Sequence, residues 1–186
     1  MEFFRKSPLV ITAIAVLLLD QASKLLVLLG LGLDRIEAYD VLPPFLVFRM
    51  AWNRGVNFGM FSDSSAALRW GLIALAIGIS AWVWFWVRRE KLGLMAQVSA
   101  GLLIGGAMGN VIDRLSYGAV ADFLNMSCCG IDNPFSFNIA DVGVFLGAVG
   151  LVVTSSGKTG SGKTGSGKSG TGKSPPGKGA KRGNSP

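Results

Sequence analysis

The 186-residue chain contains no histidine, and its only two cysteines, Cys128 and Cys129, are adjacent. Without histidine the chain cannot form a Ser–His–Asp triad, a Cys–His dyad or a His-ligated zinc site. Two neighbouring cysteines with no second cluster of metal-binding residues also argue against a metal centre. We interpret the pair as buried or lipid-facing thiols, with a vicinal disulfide as the alternative. The residue types therefore predict chemistry that needs neither a metal nor a cofactor.

The chain also lacks excess positive charge outside its C-terminal part. All 11 acidic residues lie before Ser155 and are matched there by an equal number of Lys and Arg, so the formal net charge of +7 comes from the tail. That tail, residues 155–186, repeats Gly-Lys with a period of five and has no aromatic residue. Nucleic-acid surfaces usually combine basic with aromatic side chains. We therefore predict no nucleic-acid partner, and a disordered cytoplasmic tail beside a membrane domain at residues 1–154.

Hydrophobic residues make up 50% of the chain, which is typical of a membrane protein. Four apolar stretches approach the ~20 residues that cross a bilayer as a helix: residues 8–31, 66–87, 92–112 and 137–154. The Lys and Arg that flank them place both termini in the cytoplasm by the positive-inside rule. Residues 45–52 are rich in β-forming side chains and predict a short sheet on the outer side. The predicted fold is an all-α integral membrane protein with four transmembrane helices and a small outer β region.

Asp141 lies in the last apolar run, and residues 137–153 contain no Lys, Arg or His. An Asp at the centre of a transmembrane helix costs roughly 2.5–3.5 kcal/mol, so such a residue is a functional candidate. Asp122 lies on the same outer side, and packing of the third span on the fourth would bring both acids together. Two poorly solvated carboxylates share a proton, as in aspartic proteases. We expect no cation beside the pair, because a nearby Lys or Arg would hold both acids ionised.

Other polar residues inside or beside the spans each leave two interpretations open. Asp20 and Lys24 are four residues apart, which favours a helical ion pair, although contact with a substrate is the alternative. Asn53 lies in a Gly-rich stretch that indicates either a turn or exposed amide groups. Asn110 and Arg114 share a helix face, either as a helix end with a snorkelling Arg or as part of a site.

Small residues spaced by four predict close helix packing in the third and fourth spans: Gly101, Gly105, Gly109, Gly143 and Gly147.

Two alternative functions fit parts of this pattern. A small transporter or channel subunit could use Asp20, Lys24 and the two outer acids as an ion relay, although a relay would distribute its acids along the membrane depth. A Ser–Lys peptidase could use Ser23 and Lys24, but adjacent helical residues point to different faces.

Five segments together closely resemble the bacterial lipoprotein signal peptidases, the type II signal peptidases: Asp20-Gln-Ala-Ser-Lys24, Asn53-Arg-Gly55, the run from Gly105 to Arg114, Val120-Ala-Asp122-Phe, and Phe137-Asn-Ile-Ala-Asp141. The resemblance covers nearly everything before the tail. The residues after Gly55 and the Cys128-Cys129 stretch depart from the pattern.

The resemblance implies a monomeric four-span aspartic endopeptidase of the bacterial inner membrane. Its substrates would be prolipoproteins, cut just before a diacylglyceryl-modified cysteine, with the active site facing the periplasm and membrane lipids around it. The implied catalytic pair is Asp122 and Asp141. The resemblance further implies that seven residues shape the site or contact the substrate or the peptide antibiotic globomycin: Asp20, Lys24, Asn53, Gly106, Asn110, Arg114 and Asn138.

Overall fold

The computed structural model describes residues 7–43, 45–55, 65–127 and 133–159, which are mostly helical. The elements in chain order are α1 (Pro8–Leu25, continued by a π-helical segment, Leu26–Gly30), α2 (Leu33–Ile36), β1 (Ala38–Leu42), β2 (Leu46–Asn53), α3 (Ser65–Arg89), α4 (Leu94–Tyr117), β3 (Val120–Asn125) and α5 (Ile139–Thr159).

Three helices in the described part of the chain are long and apolar enough to cross a membrane: Pro8–Gly30, Ala66–Arg89 and Leu94–Tyr117. They agree with the first three predicted spans to within five residues at each end. Large apolar side chains cover the outer faces of α1 and α3, as at Leu18 and Phe85, which are 63% and 70% exposed. Such continuous apolar exposure suits contact with lipid. The multi-pass membrane character predicted from the sequence is therefore confirmed.

Helix α4 lies at the centre of the bundle and packs against α1, α3 and α5. Glycines allow this packing, as their spacing predicts. A Cβ atom on Gly101 would lie 2.6 Å from the Leu9 carbonyl oxygen of α1, and one on Gly147 would lie 2.5 Å from the Leu103 nitrogen of α4. The backbones approach too closely for any larger residue at these positions.

Helix α5 is shorter in its apolar part, Ile139–Ser155, than the three long helices. It begins two residues after the predicted start of the fourth span and continues to Thr159, past the predicted boundary between membrane domain and tail. Residues 160–186, residues 56–58 after Gly55, and Cys128 and Cys129 lie outside the described residues.

The three strands form one antiparallel sheet in the order β1-β2-β3. Strand β2 confirms the prediction that residues 45–52, which are rich in β-forming side chains, form part of a short sheet. Its register with β3 places Ala51 opposite Asp122. On the far side of β3, the Leu124 nitrogen donates to the Phe137 carbonyl at 2.8 Å, just before α5 begins. Strand β3 is thus held between β2 and the start of α5, with Asp122 near its middle.

The connection from α4 to β3 depends on Gly118, which ends the helix. Gly118 has φ 76°, in the left-handed region that glycine adopts without strain, and its N–H donates to the Arg114 carbonyl at 3.1 Å. The chain therefore reverses within a few residues. This tight turn brings β3 back beside the outer end of α4.

Candidate active site

Asn138 and Asp141 form a reciprocal cap at the start of α5. The Asp141 backbone N–H donates to Asn138 Oδ1 at 2.8 Å, and the Asn138 backbone N–H donates to Asp141 Oδ2 at 3.3 Å. This is a capping box, in which an N-cap residue and the residue three positions later satisfy each other's free N–H groups. The local sequence thus fixes the Asp141 side chain at the helix N-terminus.

Asp122 projects from β3 into a buried position and is only 3% exposed. Its Oδ1 accepts a hydrogen bond from Asn138 Nδ2 at 2.6 Å, and its Oδ2 accepts one from Asn53 Nδ2 at 3.1 Å. Burial raises the pKa of Asp122 to about 6, and the negative charge of Asp141 adds to the increase. Hydrogen bonds from Asn53 and Asn138 and the charge of Lys24 oppose this shift without cancelling it.

The two acids are connected through amide side chains. Asn138 donates to both carboxylates, to Asp122 from its side-chain Nδ2 and to Asp141 from its backbone N–H, and Asn110 Nδ2 on α4 donates to Asp141 Oδ1 at 2.9 Å. Asn138 Nδ2 also lies 3.3 Å from Asn110 Oδ1. Asp141 is half-buried, whereas Asp122 is buried. The structure therefore brings the two acids together where α4, β3 and α5 meet, with Asp141 the more accessible of the two.

The expectation that no cation lies near the acids is wrong. Arg114 is close enough to interact electrostatically with Asp122 and Asp141, and the charge of Lys24 reaches Asp122. Neither cation comes from α5. The absence of Lys and Arg from residues 137–153 therefore did not exclude cations that other helices bring close to the acids. Among the described residues, neither acid forms a direct ion pair within 4 Å. Arg114 instead donates from Nη1 to the Asn110 carbonyl at 3.1 Å.

A buried ion cluster lies behind the two acids. Lys24 Nζ is 2.7 Å from Asp20 Oδ2 and 2.7 Å from Asp113 Oδ2. Asp20 and Asp113 are fully buried, and Lys24 is 2% exposed. The ion pair that the spacing of Asp20 and Lys24 favours is therefore present, and these side chains do not reach an open surface.

Asp113 is a buried acid that is not among the site residues predicted above, although the sequence contains a signal for it. Asp113 is four residues after Gly109 and so continues the α4 stripe of Gly101, Gly105 and Gly109. A Cβ on Gly109 would lie 2.5 Å from Asp20 Oδ2, so the stripe faces α1 and its ion pair. A charged residue in a stripe that packs against another helix needs a partner there, and Lys24 is that partner.

Gly106 and Asn53 each have a definite structural role beside the acids. A Cβ on Gly106 would clash with the Ala140 carbonyl oxygen, so only glycine lets the start of α5 approach α4 this closely. Asn53 is exposed, and its Oδ1 accepts from the Gly55 N–H at 2.9 Å. Asn53 thus forms a turn and also binds Asp122, so both interpretations of this residue hold.

Ser23 and Lys24 have separate partners. Ser23 Oγ donates to the Asp20 carbonyl at 2.7 Å, while Lys24 Nζ lies between two carboxylates. The structure therefore gives no support to a Ser–Lys peptidase.

Comparison with known proteins identifies the family. A family model described as "Signal peptidase (SPase) II" matches residues 12–156. The chain belongs to the signal peptidase II family. A lipoprotein signal peptidase of Methylorubrum extorquens (strain PA1) is 41% identical over 145 residues, covering 78% of this chain and 83% of that protein. One of Rhodopseudomonas palustris (strain ATCC BAA-98 / CGA009) is 41% identical over 150 residues, covering 78% and 90%.

Solved structures share the fold of this signal peptidase. A bacterial membrane enzyme determined by the in meso method at 2.3 Å superposes with a TM-score of 0.68 and 26% identity, covering 86% of this chain and 94% of that one. A second, at 1.9 Å, gives a TM-score of 0.64 and 27% identity. The chain is therefore a membrane protease of the lipoprotein-processing type. The transporter alternative has no support from these relatives.

Proposed function

We propose that Asp122 and Asp141 are the catalytic pair, and that they hydrolyse the peptide bond just before the diacylglyceryl-modified cysteine of a prolipoprotein. The observation that carries this proposal is the shared set of amide donors. Asn138 binds both carboxylates and Asn110 binds one, so the two acids are held in one site where α4, β3 and the start of α5 meet. Paired, partly desolvated carboxylates are the arrangement that acid–base hydrolysis of a peptide bond requires.

The different environments of the two acids suggest their roles. Because burial and the Asp141 charge raise the pKa of Asp122 to about 6, Asp122 is the acid that keeps the shared proton more readily. Asp122 then donates this proton to the scissile carbonyl oxygen while the more accessible Asp141 takes a proton from the attacking water. The water oxygen bonds to the carbonyl carbon to give a tetrahedral diol. When the C–N bond breaks, the proton held by Asp141 passes to the leaving nitrogen of the modified cysteine. One hydroxyl proton of the diol returns to Asp122 as the new carboxyl group forms, which restores the shared proton.

The remaining proposed site residues divide into two groups. Asn53 and Arg114 reach the accessible side of the site, where they can contact the substrate backbone or the peptide antibiotic globomycin. The others shape the site from behind or orient its acids: Asp20, Lys24, Gly106, Asn110 and Asn138.

Helix α5 serves as the fourth transmembrane span in this proposal. Its apolar part is about 26 Å long at 1.5 Å per residue, slightly less than the ~30 Å hydrocarbon core. The fit is adequate if the site end of α5 lies just below the outer membrane surface. Four spans then place both termini in the cytoplasm and the catalytic pair on the periplasmic side of the bacterial inner membrane. We further propose a monomer surrounded by lipid, with a disordered cytoplasmic tail and no nucleic-acid partner.

A diacylglyceryl-modified substrate suits this location. Its two acyl chains keep the modified cysteine at the membrane, because each buried methylene adds about 0.8 kcal/mol to membrane affinity. The scissile bond is therefore presented near the depth of the proposed catalytic pair. The signal peptide can lie beside the exposed apolar faces of α1 and α3.

The proposal predicts that Asp122→Asn and Asp141→Asn each abolish cleavage. Acid–base catalysis by one positioned group contributes about 10²–10⁴-fold, so turnover should fall at least this far in either variant. The measurement is the rate of signal-peptide release from a diacylglyceryl-modified prolipoprotein by purified enzyme. Asp40→Asn is the matched control, since Asp40 is an exposed acid on β1 of the same sheet. Normal processing by either catalytic-pair variant would refute the assignment.

A further inference from the structure

The buried ion cluster behind the catalytic pair has one carboxylate more than its charge balance needs. Lys24 supplies one positive charge, and Asp20, one helical turn away on α1, already matches it at 2.7 Å. Asp113 adds a second, fully buried carboxylate from α4. A buried ion costs several kcal/mol in desolvation unless its partners compensate. The neutralisation of Lys24 therefore does not explain why Asp113 is there.

Backbone hydrogen bonds supply an explanation. Asp113 Oδ2 accepts from the Ala121 N–H at 3.1 Å, and Ala121 is the residue directly before Asp122. Asp20 Oδ1 accepts from the Ala140 N–H at 2.9 Å, and Ala140 is the residue directly before Asp141. Each buried carboxylate thus holds the main chain immediately next to one proposed catalytic acid. All three side chains of the cluster are almost completely inaccessible, so they cannot touch a substrate.

The carboxylates of Asp20 and Asp113 are also held in position relative to each other. Lys24 Nζ contacts one oxygen of each, and Gln21 Nε2 lies 3.1 Å from Asp20 Oδ2 and 3.1 Å from Asp113 Oδ1. A continuous chain of contacts therefore runs from the β3 backbone through Asp113, Lys24 and Asp20 to the α5 backbone. That chain of contacts does not include the side chains that face the open site.

We infer that Asp113 is a positioning residue, which acts with Lys24 and Asp20 as a clamp that fixes the spacing between the backbones of Asp122 and Asp141. This inference rests on the proposal that these two acids are the catalytic pair. A clamp that sets spacing affects the chemical step, because a misplacement of about 1 Å can cost about 10²-fold in rate. It leaves substrate binding unchanged, because the clamp lies behind the acids and away from the accessible side.

Asp113→Ala tests the clamp without leaving an unpaired charge, since it leaves a one-to-one pair of Asp20 and Lys24. With full-length purified enzyme and a diacylglyceryl-modified prolipoprotein, we expect kcat to fall about 10²-fold while KM stays within about twofold. Asp113→Asn keeps an oxygen that can accept from the Ala121 N–H, so it should restore kcat to within about tenfold of the parent enzyme. Val83→Ala is the stability control, because Val83 is buried in a cluster of α1, α3, α4 and α5 residues away from the site. It should lower thermal stability and leave kcat unchanged.

Three outcomes would overturn the clamp: a kcat for Asp113→Ala no lower than that of Val83→Ala, a loss confined to KM, or a loss in Asp113→Asn as large as in Asp113→Ala. Asp122→Asn, measured in the same assay, separates this inference from the one it rests on. If Asp122→Asn still cleaves, the catalytic pair itself is wrong. If Asp122→Asn is inactive while Asp113→Ala is fully active, the clamp alone is wrong.

Discussion

Asn138 combines a structural and a chemical role in a single side chain. Its Oδ1 caps α5 by accepting from the Asp141 N–H, and its Nδ2 donates to Asp122 at 2.6 Å. Asn138 is fully buried, so neither role depends on contact with solvent. A Ser can replace an Asn as an N-cap, but it has no amide to donate in the second direction. The two roles can therefore be separated by the choice of substitution.

Asn138→Ser should retain much of the helix cap but alter the chemistry of Asp122. The hydrogen bond from Asn138 stabilises the charged form of Asp122 and so lowers its pKa; without it, the pKa should rise above about 6. Because protonated Asp122 then persists to higher pH, the alkaline limb of the kcat/KM profile should move to higher pH. The measurement is the pH profile of kcat/KM, together with thermal unfolding.

Asn138→Ala is the companion variant, because it removes both roles. Loss of the N-cap typically costs about 1 kcal/mol, so Asn138→Ala should be less stable than Asn138→Ser by roughly that amount. An alkaline limb that stays in place or moves to lower pH in both variants would contradict the role given to the Asn138 amide.

At the level of elements, some parts of the fold could be predicted from the sequence and others could not. The long helices follow from apolar runs of bilayer length, and β2 follows from its aromatic and branched residues. Strand β3 has only six residues, with Asp122 and Asn125 among them, so its pattern is too short and too polar to indicate a strand. It forms because β2 and Phe137 supply hydrogen-bond partners on both sides.

Some residues of the candidate site could likewise be predicted from the sequence, and others could not. Asp141 could be found from the cost of an acid in an apolar run, since that cost is a local property, and Asp122 from its place on the same outer side of the membrane. Asp113 and the nearby cations could not be found in this way, because their partners lie on other helices. The sequence does not show that α1 packs on α4, and it is this packing that places Lys24 against Asp113.

Packing between α4 and α5 leads to a prediction for Gly106. In Gly106→Ala the added Cβ would clash with the Ala140 carbonyl, so the start of α5 must move away from α4. Overpacking of this kind typically costs about 1–3 kcal/mol. Since Asn138 and Asp141 lie at that helix start, we expect both thermal stability and kcat to fall. Thermal unfolding and turnover of the purified variant are the measurements.

Gly78→Ala is the matched control for this change. Gly78 lies within α3, and a Cβ there would meet no atom within 4 Å, so the variant should be neutral or slightly more stable. If Gly106→Ala behaved like Gly78→Ala, close approach of the two helices would not be needed for the site.

At the scale of the whole molecule, the bundle is organised around α4. This helix contacts α1, α3 and α5, and it carries Asn110, which binds Asp141, and Asp113, which binds the backbone directly before Asp122. The sheet then covers one side of the site, while the apolar faces of α1 and α3 remain exposed. This arrangement suits a substrate that is fixed in the membrane at one point and cleaved beside it.

The most direct test of this account compares two substrates with purified full-length enzyme: one prolipoprotein with its diacylglyceryl-modified cysteine, and the same chain without the lipid. We predict that the lipidated chain is cut just before the modified cysteine, as read by mass spectrometry. The unlipidated chain should react at least about 10²-fold more slowly, since binding energy from the lipid helps to stabilise the transition state. Equal rates for the two substrates, or a cut at another bond, would contradict the account.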